Sequence, residues 1–211
     1  MIVNHTGAGL TTDLALLAID LQNDFLAPAG AYGRAGQTAA AIAALPARIA
    51  PLAAAVRQTG GVVIASQFTL VPGRGGVPIV SPHLMALRPF LARGDFAPGS
   101  FGHDVVDALN PVDVRIEKVA YSAFYMTRLE WVLRKLAITR LLVCGIVTNG
   151  GVASTVRDAH VRDFAVTVLA DGCAAFSADV HATAIESLRP VARITTVAEV
   201  LAAMEASSGR P

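Results

Sequence analysis

The feature that most constrains this chain is an alternation. Short β-rich runs occur at Leu14–Ile19, Val62–Ser66, Val114–Glu117, Leu141–Gly145, Ala165–Ala170 and Ala192–Thr195. Helical patterns lie among them near Gln37–Gln58, Thr127–Ala137, Gly151–Arg162 and Asp179–Leu188, with a last one near Ala198–Met204. Strands that alternate with helices are joined by right-handed crossovers, which lay the strands parallel. Several of the runs are apolar throughout, as strands covered on both faces must be. The expectation is a three-layer, Rossmann-like α/β fold: a six-stranded parallel sheet with helices on both faces. At 211 residues the chain can bury one substantial core and is short for two, so one domain over 1–211 is expected.

Two details disturb the pattern. Pro46 and Pro51 fall in the first helical stretch, and each removes a backbone donor, so a kink or break is expected there. The stretch Val71–Ser100 is rich in Gly and Pro and holds at most a short helix. An excursion of this length in a compact domain is either functional, as a lid, interface or pocket wall, or an ordinary surface insertion.

Composition excludes several classes of function. Apolar residues make up 54%, which rules out a disordered chain. Lys and Arg number 17 against 16 Asp and Glu, a net charge of +1, so no charge excess points to nucleic acid or to a basic partner. Met1–Thr12 shows no cationic start followed by an apolar run, and Leu14–Ile19 is too short to span a membrane. Cys144 and Cys173 form neither a CxxC pair nor a disulfide framework. A cytoplasmic protein with reduced thiols, acting on a small molecule without nucleic acid or membrane, is expected.

In an open parallel sheet, ligands bind at the carboxyl ends of the strands. Those ends carry Asp20-Leu21-Gln22-Asn23-Asp24-Phe25 after the first run, Gln67 after the second, and Lys118 with Tyr121-Ser122-Ala123-Phe124 after the third. After the fourth comes Gly145-Ile146-Val147-Thr148-Asn149-Gly150-Gly151, opening directly into a helix. Singly, a carboxylate there is a turn residue, a lysine a surface charge and a glycine turn a helix start. The glycines lack the spacing of a phosphate-binding loop. Together they place an acid, a cation and a ring of backbone donors on one sheet edge.

These segments, in this order, resemble the isochorismatase-like hydrolase superfamily. Asp20-x-Gln22-Asn23-Asp24-Phe25 is similar to its opening motif, and Lys118-Val-Ala-Tyr121-Ser122-Ala123-Phe124 to its lysine motif. Leu142–Asn149 is similar to the strand and turn before its nucleophile, and Asp158-Ala159, Ala170-Asp171, Phe176-Ser177 and His181 to its later elements. The resemblance spans Leu14 to about Leu201.

Cysteine amidohydrolases of the superfamily use an Asp-Lys-Cys triad. Here the cysteine's place falls on Gly151, which has no side chain to attack with. True isochorismatases also carry glycine there. They cleave a vinyl ether, which needs an acid to protonate carbon and a water to capture the cation, and no covalent intermediate. The resemblance therefore implies a hydrolase in which Asp20 is the acid or base, Lys118 orients it and holds a substrate carboxylate, and Gly151 completes the site. It also implies a non-proline cis peptide at Ile146–Val147, with the amides of Val147 and Gly151 as an oxyanion hole. Gln22, Phe25, Gln67, Tyr121 and Asn149 are candidate substrate-binding residues.

The pattern departs from isochorismatases at Val147 and Asn149, where they tend to carry an aromatic residue and a histidine. Val147-Thr148 looks more like the amidohydrolase pattern. Nicotinamidases add an Asp-x-His metal motif after the second strand, and Gln67-Phe68-Thr69 does not match it. The histidines (5, 83, 103, 160 and 181) show no metal-ligand spacing. No metal and no cofactor is expected. The resemblance implies a homo-oligomer, dimer or tetramer. Three functions stand open: vinyl ether hydrolysis, amide hydrolysis by Asp20-activated water, and non-catalytic binding of a small molecule.

Overall fold

The computed structural model describes residues 13–208, so the reading of Met1–Thr12 lies outside the described residues. Six strands form one sheet: β1 (Leu14–Ile19), β2 (Val62–Phe68), β3 (Val114–Lys118), β4 (Arg140–Ile146), β5 (Ala165–Ala174) and β6 (Arg193–Thr195). Their order is β3-β2-β1-β4-β5-β6, and every adjacent pair is parallel. The chain steps outward from β1 through β2 to β3, then returns to the far side of β1 for β4. The carboxyl ends of β1 and β4 therefore flank the point where strand order reverses, the usual ligand crevice of such sheets.

The helices are α1 (Asn23–Leu26), α2 (Ala31–Arg34), α3 (Ala40–Ala43), α4 (Leu45–Gln58), α5 (Pro82–Leu87), α6 (Leu129–Lys135), α7 (Ala153–His160), α8 (Ala178–Leu188) and α9 (Val197–Ser208). Alternation along β1 divides the core. Ala15, Leu17 and Ile19 join one buried cluster with side chains of α6, α7 and α8. Leu16 and Ala18 join the other with α4. In α4 the buried residues Leu45, Ile49, Leu52 and Val56 recur at helical spacing and form one stripe facing the sheet. Each such side chain contributes roughly 1.5–3 kcal/mol of burial.

The 19-residue run Ala40–Gln58 is long and apolar enough on composition to cross a membrane. In the fold it is broken at Ala44, and α4 lays its stripe on the core. The break precedes Pro46, whose ring would meet the carbonyl of Ile42 if α3 continued. Pro51, where a break was equally expected, sits inside α4 without ending it.

The excursion after β2 is folded. It carries α5, and its Leu91 and Phe96 pack with Ala31, Tyr32 and Leu70 in a small cluster that Phe25, Phe68 and Phe90 extend. α1 and α2 are four residues each and were not expected. β5 runs four residues past its expected end at Ala170, following a register shift against β4 between Val143 and Gly145.

Candidate active site

β1 ends at Ile19, and Asp20 turns out of the strand with φ of 54°, in the left-handed region that Asp tolerates better than most residues. Its backbone N–H donates to the Ser66 carbonyl on β2 at 3.2 Å. Its carboxylate is held at both oxygens. Ser66 Oγ donates to Oδ1 at 2.8 Å, and Lys118 Nζ lies 2.7 Å from Oδ2. Lys118 is the last residue of β3, so its side chain reaches past the end of β2 to meet the aspartate.

Asp20 is 5% exposed and Lys118 2%. A buried ion pair persists where further hydrogen bonds satisfy both partners. Lys118 also donates to the carbonyls of Ala120 at 2.9 Å and Tyr121 at 3.1 Å. An ammonium has three donors, and these three acceptors use them all. Burial pushes the Asp20 carboxyl above the ordinary carboxylate range, while the Lys118 charge and the Lys118 and Ser66 hydrogen bonds pull against it.

β4 delivers the third part. The Ile146–Val147 peptide is cis, and Thr148–Val152 forms a π-helical turn that leads into α7. Gly151 lies in that turn and faces the aspartate. A side-chain carbon at Gly151 would stand 3.2 Å from Asp20 Oδ2 and 2.9 Å from the Ile146 carbonyl oxygen. Thr155 Oγ1 fixes the turn by donating to the Gly151 carbonyl at 2.7 Å.

Asp20, Lys118, Val147 and Gly151 open on a cavity of about 320 Å³, the size of a small metabolite. Phe25, Tyr32, Phe68, Tyr121 and Phe176 give it aromatic walls, and α5 covers it with His83, Leu84, Leu87 and the following Arg88. The Gly- and Pro-rich excursion thus supplies a pocket wall. Arg88 bridges two of the aromatics, donating from Nε to Tyr32 Oη at 2.9 Å and from Nη2 to Tyr121 Oη at 3.2 Å.

Of the residues singled out from the sequence, Asp20, Phe25, Lys118, Tyr121, Val147 and Gly151 converge on this cavity. Gln22, Gln67 and Asn149, expected to touch substrate, do not line it. Gln22 is fully buried and its amide is spent on backbone, accepting from Phe68 N at 2.7 Å and donating to the Phe68 and His103 carbonyls. Gln67 donates to the His103 carbonyl at 2.7 Å. Asn149 is exposed and lines a separate surface groove with Arg157 and Asp179.

Ser66, Tyr32, Arg88 and Phe176 were not anticipated. Ser66 had a signal, being a hydroxyl inside an apolar strand beside its carboxyl end. Arg88 had none, since Arg74 and Arg93 share the same excursion.

Neither cysteine lines the cavity. Cys144 and Cys173 are buried, and burial drives the Cys173 thiol up to about 12 and raises that of Cys144 well above its usual value. Among the described residues no three His, Cys, Asp or Glu side chains gather as a metal site. His103 is tied instead to Thr69, with its Nε2 2.8 Å from the hydroxyl oxygen.

Comparison with known proteins places this geometry in a family. The Isochorismatase domain profile matches residues 14–199. Ureidoacrylate amidohydrolase RutB of Methylobacterium radiotolerans is 35% identical over 167 residues, covering 74% of this chain and 65% of the relative. RutB of Pantoea ananatis is 33% identical over 168 residues, covering 74% of this chain and 67% of the relative. The chain thus spans about two thirds of the length of these relatives. Among solved structures, a cysteine hydrolase from Pseudomonas syringae pv. phaseolicola 1448A superposes with a TM-score of 0.78 at 28% identity, over 92% of this chain and 93% of that one. With the profile matched across nearly all of the described residues, the chain belongs to the isochorismatase family.

Proposed function

We propose that the chain hydrolyses a small anionic metabolite, with Asp20 moving the proton and water, rather than a protein thiol, attacking the substrate. The observation that carries this reading is the placement of Asp20 Oδ2. It is paired with Lys118 at 2.7 Å and faces Gly151, which lines the cavity together with Asp20 and offers no competing nucleophile.

The kinship to amidohydrolases favours a C–N bond. Asp20, ionised, takes a proton from a water that attacks the amide or ureide carbon. The carbonyl oxygen gains the negative charge, and the nitrogen leaves as it accepts the proton. The amides of Val147 and Gly151 are the candidate donors to that oxygen. No group of the described residues accepts the Val147 N–H. Glycine at position 151 favours a second bond class, the vinyl ether. There Asp20, protonated, gives its proton to the enol carbon, and water adds to the resulting oxocarbenium carbon.

Arg88 supports an anionic substrate in both cases. Lys118 has no donor left for a substrate carboxylate, which moves that role from the lysine to the arginine. Arg88 spends two of its five N–H donors on the hydroxyls of Tyr32 and Tyr121. The test is a panel of carboxylate-bearing ureides, amides and vinyl ethers. Ammonia release supports the first chemistry, and carbonyl product from a vinyl ether, such as pyruvate, supports the second. Tight binding of panel members with neither product would overturn the enzyme reading in favour of a binding protein.

A further inference from the structure

We propose that Ser66 is a positioning residue of this site, which anchors Oδ1 of Asp20 so that Oδ2 is the oxygen that exchanges protons in the cavity. The inference rests on the proposed role of Asp20. Ser66 is fully buried in β2, directly paired with Ile19 of β1, the residue before the aspartate. Its neighbours Val63, Ile64 and Ala65 are buried and apolar. A hydroxyl in such a strand costs free energy unless it is paired, and its partner is Asp20.

The pairing is double. Ser66 Oγ donates to Asp20 Oδ1 at 2.8 Å and accepts from the Asp20 backbone N–H at 3.3 Å. One hydroxyl therefore touches both the main chain and the side chain of the same residue, and sets the orientation of the carboxylate relative to its backbone. Lys118 meets the other oxygen at 2.7 Å, the oxygen that faces Gly151. The two carboxylate oxygens are thereby made unequal: Oδ1 is held by Ser66 of the sheet, and Oδ2 faces Lys118 and Gly151, both of which line the cavity. Ser66 itself does not line the cavity, so its effect on substrate passes through Asp20.

The test is a carboxyl ¹³C NMR titration of aspartate-labelled protein, with the Asp20 signal assigned by its loss in Asp20→Asn. A hydrogen bond to the ionised form favours that form, so Ser66→Ala is expected to raise the Asp20 midpoint by about one pH unit. Ser66→Thr, which keeps the hydroxyl, is expected to restore it. On any substrate the panel yields, the pH limb governed by Asp20 should move with the midpoint while KM stays within about twofold. An unshifted midpoint in folded Ser66→Ala overturns the inference. So does a Ser66→Thr chain that titrates like the alanine variant, because the effect would then be packing. Should Ser66→Ala fail to fold, Ser66→Cys, close in volume with a weak donor, carries the same comparison. Wild-type turnover by Asp20→Asn would instead sink the proposed function, a distinct result from an unshifted titration.

Discussion

At the scale of single residues, the opening motif divides its labour. Asp20 faces the cavity, while Asp24, four residues on, is buried and accepts backbone N–H groups from Ala31 at 2.8 Å and Phe96 at 2.6 Å. Gln22 binds the end of β2. Gln22 and Asp24 thus build the turn that holds Asp20 at the cavity. The raised Asp20 carboxyl gives a prediction whose sign separates the two chemistries. As a base, Asp20 must be ionised, so kcat/KM falls as pH drops through its value, above the ordinary carboxylate range. As an acid it must be protonated, so kcat/KM falls as pH rises through that value. A profile flat across that range contradicts both. Arg88→Gln is expected to raise KM for a carboxylate-bearing substrate by about 10–100-fold with kcat changed only a few-fold, since the charge binds rather than reacts. Steady-state kinetics decide this, and an unchanged KM removes Arg88 from substrate binding. Asp20 and Lys118 could be set at one sheet edge because strand ends can be read from apolar runs, whereas Gly151 was reached only through the family resemblance. Arg88 was not legible, because only the folding of the excursion carries it over the cavity, and the backbone bonds that Gln22 and Gln67 make could not be read from the sequence, because they join segments distant along the chain.

At the scale of elements, the site depends on how closely β4 passes β1. Gly145 pairs with Ile19 and has φ of 116°, and a side-chain carbon there would stand 2.1 Å from the Ile19 carbonyl oxygen. Gly145→Ala is therefore expected to cost about 2–4 kcal/mol, through both the clash and the backbone conformation. Urea denaturation measures it, with Gly36→Ala as the control: its φ of 68° carries the conformational penalty, but nothing crowds the added carbon. Equal losses in the two variants would show that the close strand approach is not what requires glycine. The bounds of β1 and the order of strands and helices were readable, because short apolar runs alternating with longer stretches of helical period are a strong signal. α1 and α2 were not, since four residues make barely one turn and show no period. The extension of β5 follows a register shift against β4 that arises between strands.

At the scale of the whole molecule, a parallel sheet brings four separate segments of the chain to one edge. The switch point between β1 and β4 sets Asp20 against Gly151, β3 sends Lys118 in from two strands away, and the excursion after β2 closes the top. The buried cysteines stand outside this assembly of groups. The central claim, that Asp20 and water do the work without a thiol, is tested most directly by turnover of the ureide, amide and vinyl ether panel by two chains measured side by side, Asp20→Asn and the double variant Cys144→Ala/Cys173→Ala. The double variant is expected to keep wild-type turnover within about twofold, and Asp20→Asn to lose about 10²–10⁴-fold while remaining folded. Full activity in Asp20→Asn, or loss of activity in a folded chain lacking only the two thiols, would contradict it.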